Sequence, residues 1–217
     1  MVVLRDELKP FMVDHTPDPH DPEILNKYEA DALGEYIRGR KKVVDIGCGL
    51  GRSSVAFYHA FDMKDAIFYL VDYDEKRLWS DYQVVGGRPL GYSSRVVPIT
   101  CFKAINAYCT DNGFVRCNVR GMNTKYYQRF KGVDLLYSFF AVGFHFPIQK
   151  FIEEHEVGKF TSDDVVLIFG VRKEGSPTYE QSIPPEYVHP FELVERIKSE
   201  SPDEDFVVYK KVVDIVA

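Results

Sequence analysis

Three glycines stand at alternate positions in VVDIGCGLGR, where Gly47, Gly49 and Gly51 separate a short apolar run from a helix-forming stretch. The run VVDIG (43–47) ends at the glycines and reads as a buried strand, and SSVAFYHAF reads as the helix that follows it. Glycines in such a turn allow a tight reversal and let the backbone come close to a ligand that a side chain would push away. The spacing departs from the dinucleotide fingerprint G-x-G-x-x-G, because the third glycine comes one residue early and Arg52 holds its place. The acid that the fingerprint also requires is present: Asp72 ends the next apolar run, AIFYLVD, 21 residues after Gly51. This pairing predicts an adenosine ribose as guest and disfavours a pyrophosphate on the helix end.

The rest of the chain repeats the alternation of strand and helix. Asp21 and Pro22 start a helix with Leu25, Tyr28, Ala32, Leu33, Tyr36 and Ile37 on one face. A helix capped by Asp74 is expected in DEKRLWSDYQ, then a loop with paired glycines, VVGGRPLGYSS, then a helix in TCFKAINAYCTDN stopped by Gly113. FVRCNV, VDLLYSFF and DVVLIFGV supply strands, and PIQKFIEEHE a helix between the last two. FELVERI and DFVVYKK read as an antiparallel hairpin, with a helix over FELVERIKSE as the alternative. The fold class is therefore α/β: a Rossmann-like, doubly wound, mostly parallel sheet of about seven strands with a C-terminal antiparallel hairpin. With 217 residues, 45% of them hydrophobic, the whole chain (1–217) makes one domain, and the Pro-, Asp- and His-rich residues 1–20 form an arm or flap.

Charge and composition narrow the partners. Lys and Arg total 27 against 33 Asp and Glu, and the net charge of −6 would repel phosphate backbones, so no nucleic-acid partner is expected. No run approaches the roughly 18–20 apolar residues of a membrane helix, and the N-terminus has no continuous apolar core before a cleavage site, so a cytoplasmic protein without a membrane partner is expected. Cys48, Cys101, Cys109 and Cys117 form no CxxC pair or zinc-finger spacing and read as reduced structural thiols. His15 and His20, beside Asp14 and Asp21, belong to the solvated arm, and no metal is expected.

Asp45-Ile46-Gly47-Cys48-Gly49-Leu50-Gly51 followed by Asp72 resembles the first two motifs of the class I S-adenosylmethionine-dependent methyltransferases. The resemblance implies S-adenosylmethionine as cofactor and S-adenosylhomocysteine as product. By the same resemblance the glycine loop and Cys48 line the cofactor, Asp72 grips the ribose hydroxyls and Tyr73 packs on the adenine. Asn118 stands where family members often carry an Asp for the adenine amine. Asp45 either orients the loop or accepts the cofactor's ammonium, and Ser138 lies at the end of the fourth strand, beside the cofactor.

The acceptor side begins after that strand, in Ser138-Phe139-Phe140-Ala141-Val142-Gly143-Phe144-His145-Phe146-Pro147. The [DN]PP[YF] motif of DNA amino-methyltransferases is missing, and Asp134 lies at the beginning of the strand rather than at the end where catechol-type enzymes place a metal-binding acid. YSFFAVGFHF resembles a set of bacterial and phage methyltransferases acting on sugars or other small hydroxylated molecules. A hydroxyl acceptor needs a general base, and His145 is the candidate, with a packed structural histidine as its alternative. Tyr187 and His189, in the long segment after the fifth strand, could cover the acceptor. The expected function is methyl transfer to a hydroxyl of a small molecule. The alternatives are an inactive methyltransferase-like binding protein and a nicotinamide oxidoreductase. Acceptor identity and oligomeric state are not legible.

Overall fold

Strands whose side chains are apolar at successive positions must be covered on both faces, and this chain covers them with helices on each side of one large sheet. The computed structural model describes residues 3, 5, 6, 8, 22–72, 84–85, 88–89, 102–114, 117–121, 127, 129–139, 141–144, 146–175, 183–200 and 204–213. In chain order the elements are α1 (Pro22–Ile37), β1 (Lys42–Ile46), α2 (Arg52–Ala60), β2 (Ile67–Asp72), β3 (Val84–Val85), β4 (Arg88–Pro89), α3 (Phe102–Asp111), β5 (Cys117–Gly121) and β6 (Val133–Ser138). They continue with α4 (Ile148–Glu154), α5 (Val157–Phe160), β7 (Thr161–Arg172), β8 (Tyr187–Val188), β9 (Phe191–Ile197) and β10 (Glu204–Lys211). The sheet order is β5-β2-β1-β6-β7-β10-β9-β8. The first five strands of that order run parallel, and β10 enters antiparallel between β7 and β9. No helix among the described residues is long and apolar enough to cross a membrane.

The period-2 alternation of the strands divides the core. Val43, Leu135, Tyr137 and Phe206 face α1, α2 and α3, where they meet Leu33, Ile37, Val55, Phe57 and Tyr108. Val44, Ile46, Leu136 and Leu167 face the other way, onto Phe151, Ile152, Val157 and Phe160 of α4 and α5. Asp134 holds the start of β1, accepting the Lys41 and Lys42 backbone N–H groups at 2.8 Å each.

Several expectations shift. In and after FVRCNV the described strand is Cys117–Gly121, and Phe114 is drawn toward α3: its N–H bonds the Cys109 carbonyl at 2.8 Å and its ring packs on Tyr58 and Phe68. FELVERI is a strand, since β10 pairs with it from Lys211↔Phe191 to Phe206↔Ile197. In the expected glycine-pair loop, β3 and β4 pair antiparallel on either side of Gly86-Gly87. The helix expected from Asp74 and the cap at Asp21 lie outside the described residues.

Glycine is obligatory at Gly143 in the loop after β6. Its φ is +94°, and a Cβ there would lie 2.3 Å from the Gly170 carbonyl oxygen of β7, a backbone atom that cannot move aside. Gly39, at φ +81°, has no atom within 4 Å of its Cβ position. We expect Gly143→Ala to lower unfolding free energy by about 2–4 kcal/mol, backbone strain plus overpacking, while Gly39→Ala costs about 1 kcal/mol from strain alone. Urea titration of the two variants checks this, and equal losses would contradict the close approach.

Candidate functional site

From β1 the chain winds outward through β2 to β5, then returns to lay β6 on the opposite side of β1. Strand order therefore reverses between β1 and β6, and a crevice opens beyond Ile46 and Ser138, where open α/β sheets bind ligands. The glycine loop lies across this opening. Gly47 and Cys48 donate backbone N–H groups to the Val71 carbonyl at 2.8 and 3.2 Å, and Gly51 donates to the Cys48 carbonyl at 2.7 Å. All three loop glycines have positive φ. Their surroundings differ in a way that assigns each a role. At Gly47 a Cβ would sit 2.3 Å from the Ala141 Cβ of the loop after β6, and at Gly51 it would sit 3.0 Å from Leu70 Cδ1. At Gly49 it would meet no atom of the described residues within 4 Å. Gly47 and Gly51 let protein pack on protein, whereas at Gly49 the described residues leave the side-chain space open.

Asp72, at the end of β2 and only 5% exposed, accepts the Gly49 N–H at 2.7 Å. This bond ties the acid to the centre of the loop. Asp45, 4% exposed, accepts the Ser54 hydroxyl at 2.7 Å, and Tyr137 lies 2.5 Å from the same hydroxyl. Ser54 spends its proton on the carboxylate, so Tyr137 is the donor of the second bond. Burial pushes the Asp45 carboxyl up to about 7 against the pull of Ser54, and the neighbouring charges of Asp72 and Glu29 add to the rise. Burial, with Asp72 and Asp45 close by, also holds the Cys48 thiol well above its ordinary value, which leaves a small protonated side chain in the loop and no thiolate.

The other expected site residues are placed variously. Ser138 is wholly buried: its hydroxyl donates to the Ile46 carbonyl at 2.7 Å and accepts the Val142 N–H at 3.0 Å. It fastens the ends of β1 and β6 together. Asn118 is interior to β5, paired with Tyr69, while Gly121 is the residue beside Asp72. The position expected to partner an adenine amine therefore falls three residues after Asn118. Tyr73 and His145 lie outside the described residues, as do His15 and His20. The flanking Phe144 is buried beneath the Arg172 guanidinium, 4.7 Å from its ring centroid, and Phe146 is 39% exposed.

Tyr187 and His189 bond each other at 3.0 Å but sit at the wrong edge for a lid. β9 runs parallel to β7, so its first residue, Phe191, lies where the parallel strands begin, and β8 pairs there through Val188↔Phe191. The preceding residues Ile183, Pro184 and Pro185 line a cleft of about 160 Å³ with Gly143, Pro147 and Ile148, in and just after the loop that follows β6.

Sequence reasoning missed a buried polar group beside the loop. Arg52, the first residue of α2, makes a two-pronged ion pair with Glu29 of α1 and donates to Asn26 Oδ1 at 2.6 Å. Glu29 is 1% exposed and lies on the same helix stripe as Leu33 and Ile37. A charge on that stripe, and Arg52 in place of a glycine, were the two signals that belonged together.

No protein-family model and no curated protein matches the chain. Solved structures do match in fold. A point mutant of MtNAS in complex with S-adenosylmethionine superposes with a TM-score of 0.58 at 12% identity over 88% of this chain. The match spans only 62% of MtNAS, which has also been solved with MTA and tNA. The mitomycin 7-O-methyltransferase MmcR gives 0.52 at 12% identity, covering 90% of this chain and 59% of that one. Precorrin-6y C5,15-methyltransferase from Geobacter metallireducens gives 0.55 at 8% identity and covers 94% and 95%. The chain has the fold of the class I S-adenosylmethionine-dependent methyltransferases.

The Asp45 environment carries a pH signature. Its carboxyl titrates higher folded than unfolded, from 3.8 to about 7, so its contribution to stability is complete below pH 4 and is lost as pH rises through 7. Asp45→Asn should flatten the stability profile between pH 4 and 7, as chemical denaturation across that window would show. An identical slope in both proteins would contradict a raised Asp45.

Proposed function

We propose that the chain is an S-adenosylmethionine-dependent methyltransferase acting on a hydroxyl of a small molecule such as a sugar derivative, with S-adenosylhomocysteine as product. One observation carries the cofactor reading: Gly49, whose side-chain space no described residue fills, is hydrogen-bonded to the Asp72 carboxylate at the strand-order reversal. A ribose diol fits there, since one carboxylate can accept two hydroxyls and a side chain at position 49 would fill the approach. The fold shared with structures that hold S-adenosylmethionine supports the same reading, and the 7-O-methyltransferase MmcR supports a hydroxyl acceptor.

The bound cofactor would supply an electrophilic methyl on a sulfonium. The chain's own task is alignment and exclusion of water. Asp72 orients the ribose and, through Gly49, keeps the loop in register. Ser138 and Gly47 hold the loop after β6 against the glycine loop, so donor and acceptor sides share one frame. His145, between Phe144 and Phe146 in that second loop, is proposed to take the acceptor's proton.

Calorimetry with S-adenosylhomocysteine and NAD tests the cofactor assignment. The wild type should bind the first and not the second. Asp72→Asn keeps an oxygen for the Gly49 N–H but loses the charge, and affinity should fall by roughly 10- to 100-fold. Undiminished affinity would refute Asp72 as the ribose residue. In methyl-release assays on a panel of hydroxylated acceptors, His145→Ala should lower turnover by about 100- to 10,000-fold with cofactor affinity intact. A fully active His145→Ala protein would remove the histidine from the mechanism, and wild-type cofactor binding without turnover on any acceptor would favour a binding protein.

A further inference from the structure

Three thiols that stand far apart in the sequence gather at the glycine loop. Cys109 of α3 is 1% exposed, and Cys48 of the loop and Cys117 of β5 pack against the same apolar cluster while only partly buried. All three are free thiols. A Cβ at Gly51 would lie 3.8 Å from Cys109 Sγ, so this sulfur, with Leu70, forms the floor of the loop. Cys109 and Cys117 are joined in two ways. Phe114 bridges them, its N–H donating to the Cys109 carbonyl at 2.8 Å and its carbonyl accepting the Cys117 thiol at 3.6 Å. The thiols also bond each other with Cys109 as donor, which pushes Cys109 up from the ordinary thiol range and pulls Cys117 down. Cys48 donates within its own loop instead, to the Gly49 carbonyl at 3.4 Å.

We propose that Cys109 and Cys117 are a redox-reactive dithiol that a hydroperoxide closes to a disulfide, tying α3 to β5. The proposal is independent of what the crevice binds. Exposure divides the labour: the partly exposed Cys117 meets the oxidant, and the buried Cys109 resolves the product. With hydrogen peroxide, the Cys117 sulfur attacks one oxygen, the O–O bond breaks, and a sulfenic acid and one water result. The Cys109 sulfur then attacks the sulfenic sulfur. The S–S bond forms, the S–O bond breaks, and the hydroxyl leaves as water with the Cys109 proton. One peroxide is thereby reduced to two waters, and the two thiols together lose two electrons. The disulfide reaches back to the loop. Its sulfurs must close to about 2.0 Å, nearer than hydrogen-bonded thiols stand, so the floor under Gly51 shifts with Cys109.

Trypsin separates the pair, because Arg116 ends one peptide just before Cys117. The full chain, treated with hydrogen peroxide, denatured in iodoacetamide and digested without reductant, should yield peptide 104–116 joined to peptide 117–120. Alkylatable thiols should fall by two per chain, and dithiothreitol should restore both. Cys109→Ser removes the resolving thiol, so Cys117 should stop at the sulfenic acid and take up dimedone. Cys117→Ser should leave Cys109 reduced under the same treatment. The wild-type peptides decide the matter even where a variant does not fold. Thiols that stay alkylatable at 109 and 117, or a disulfide made through Cys48 or Cys101 instead, would overturn the proposal. Hydrogen–deuterium exchange reads the link to the loop: Gly51 should exchange faster in the oxidised chain and return to its original rate with dithiothreitol. Unchanged exchange at Gly51 would overturn that link.

Discussion

The loops after β1 and β6 meet closer than any side chain would permit, and the site depends on that approach. At Gly47 the space a Cβ would need is occupied by Ala141, and at Gly143 it is occupied by the Gly170 carbonyl. Ser138 locks the arrangement with one bond to Ile46 and one from Val142. Because interiors are packed at crystal-like density, such contacts have few alternatives and set the crevice width rigidly. On the proposed reading, a ligand held by one loop would be presented to the other at a fixed distance, as an in-line transfer requires of its protein.

Charge gives the crevice its preference. Glu29, Asp45, Asp72 and Glu204 are each no more than 5% exposed. Arg52 is in electrostatic contact with both Glu29 and Glu204. Near α2, whose first turn contains no acid, the negative field comes from side chains on other elements. On the proposed reading, such surroundings disfavour a pyrophosphate and suit a guest with positive charge, as a sulfonium with an ammonium would be. Burial first, and then the neighbouring charges of Asp72 and Glu29, raise the Asp45 carboxyl, which takes up a proton near neutral pH.

Much of this was legible in the residues. The loop, its flanking strand and helix, Asp72 and the closing hairpin follow from local pattern, because strand periodicity and glycine placement report backbone geometry directly. What stayed hidden depends on register and on contacts between distant segments. Asn118 read as a strand end because VRCNV is uniformly strand-like, yet the strand runs on to Gly121, which pairs with Asp72. Tyr187 and His189 read as lid residues because chain order cannot show that β9 begins at the far edge. Glu29 was overlooked since its reason, Arg52, lies 23 residues away. Ser138 was found, but its bonds to Ile46 and Val142 were not legible, as a hydroxyl at a strand end looks the same whether it faces a ligand or ties two strands.

The central claim is that the crevice at the β1–β6 reversal, and no other part of the fold, holds an adenosyl amino acid. Hydrogen–deuterium exchange with and without S-adenosylhomocysteine tests it without any variant. The account predicts slowed exchange in the segments 45–54 and 70–72, Gly49 included, with unchanged rates around Tyr187–His189 at the opposite edge of the sheet. Protection confined to that opposite edge, or no ligand-dependent protection at the glycine loop, would contradict it.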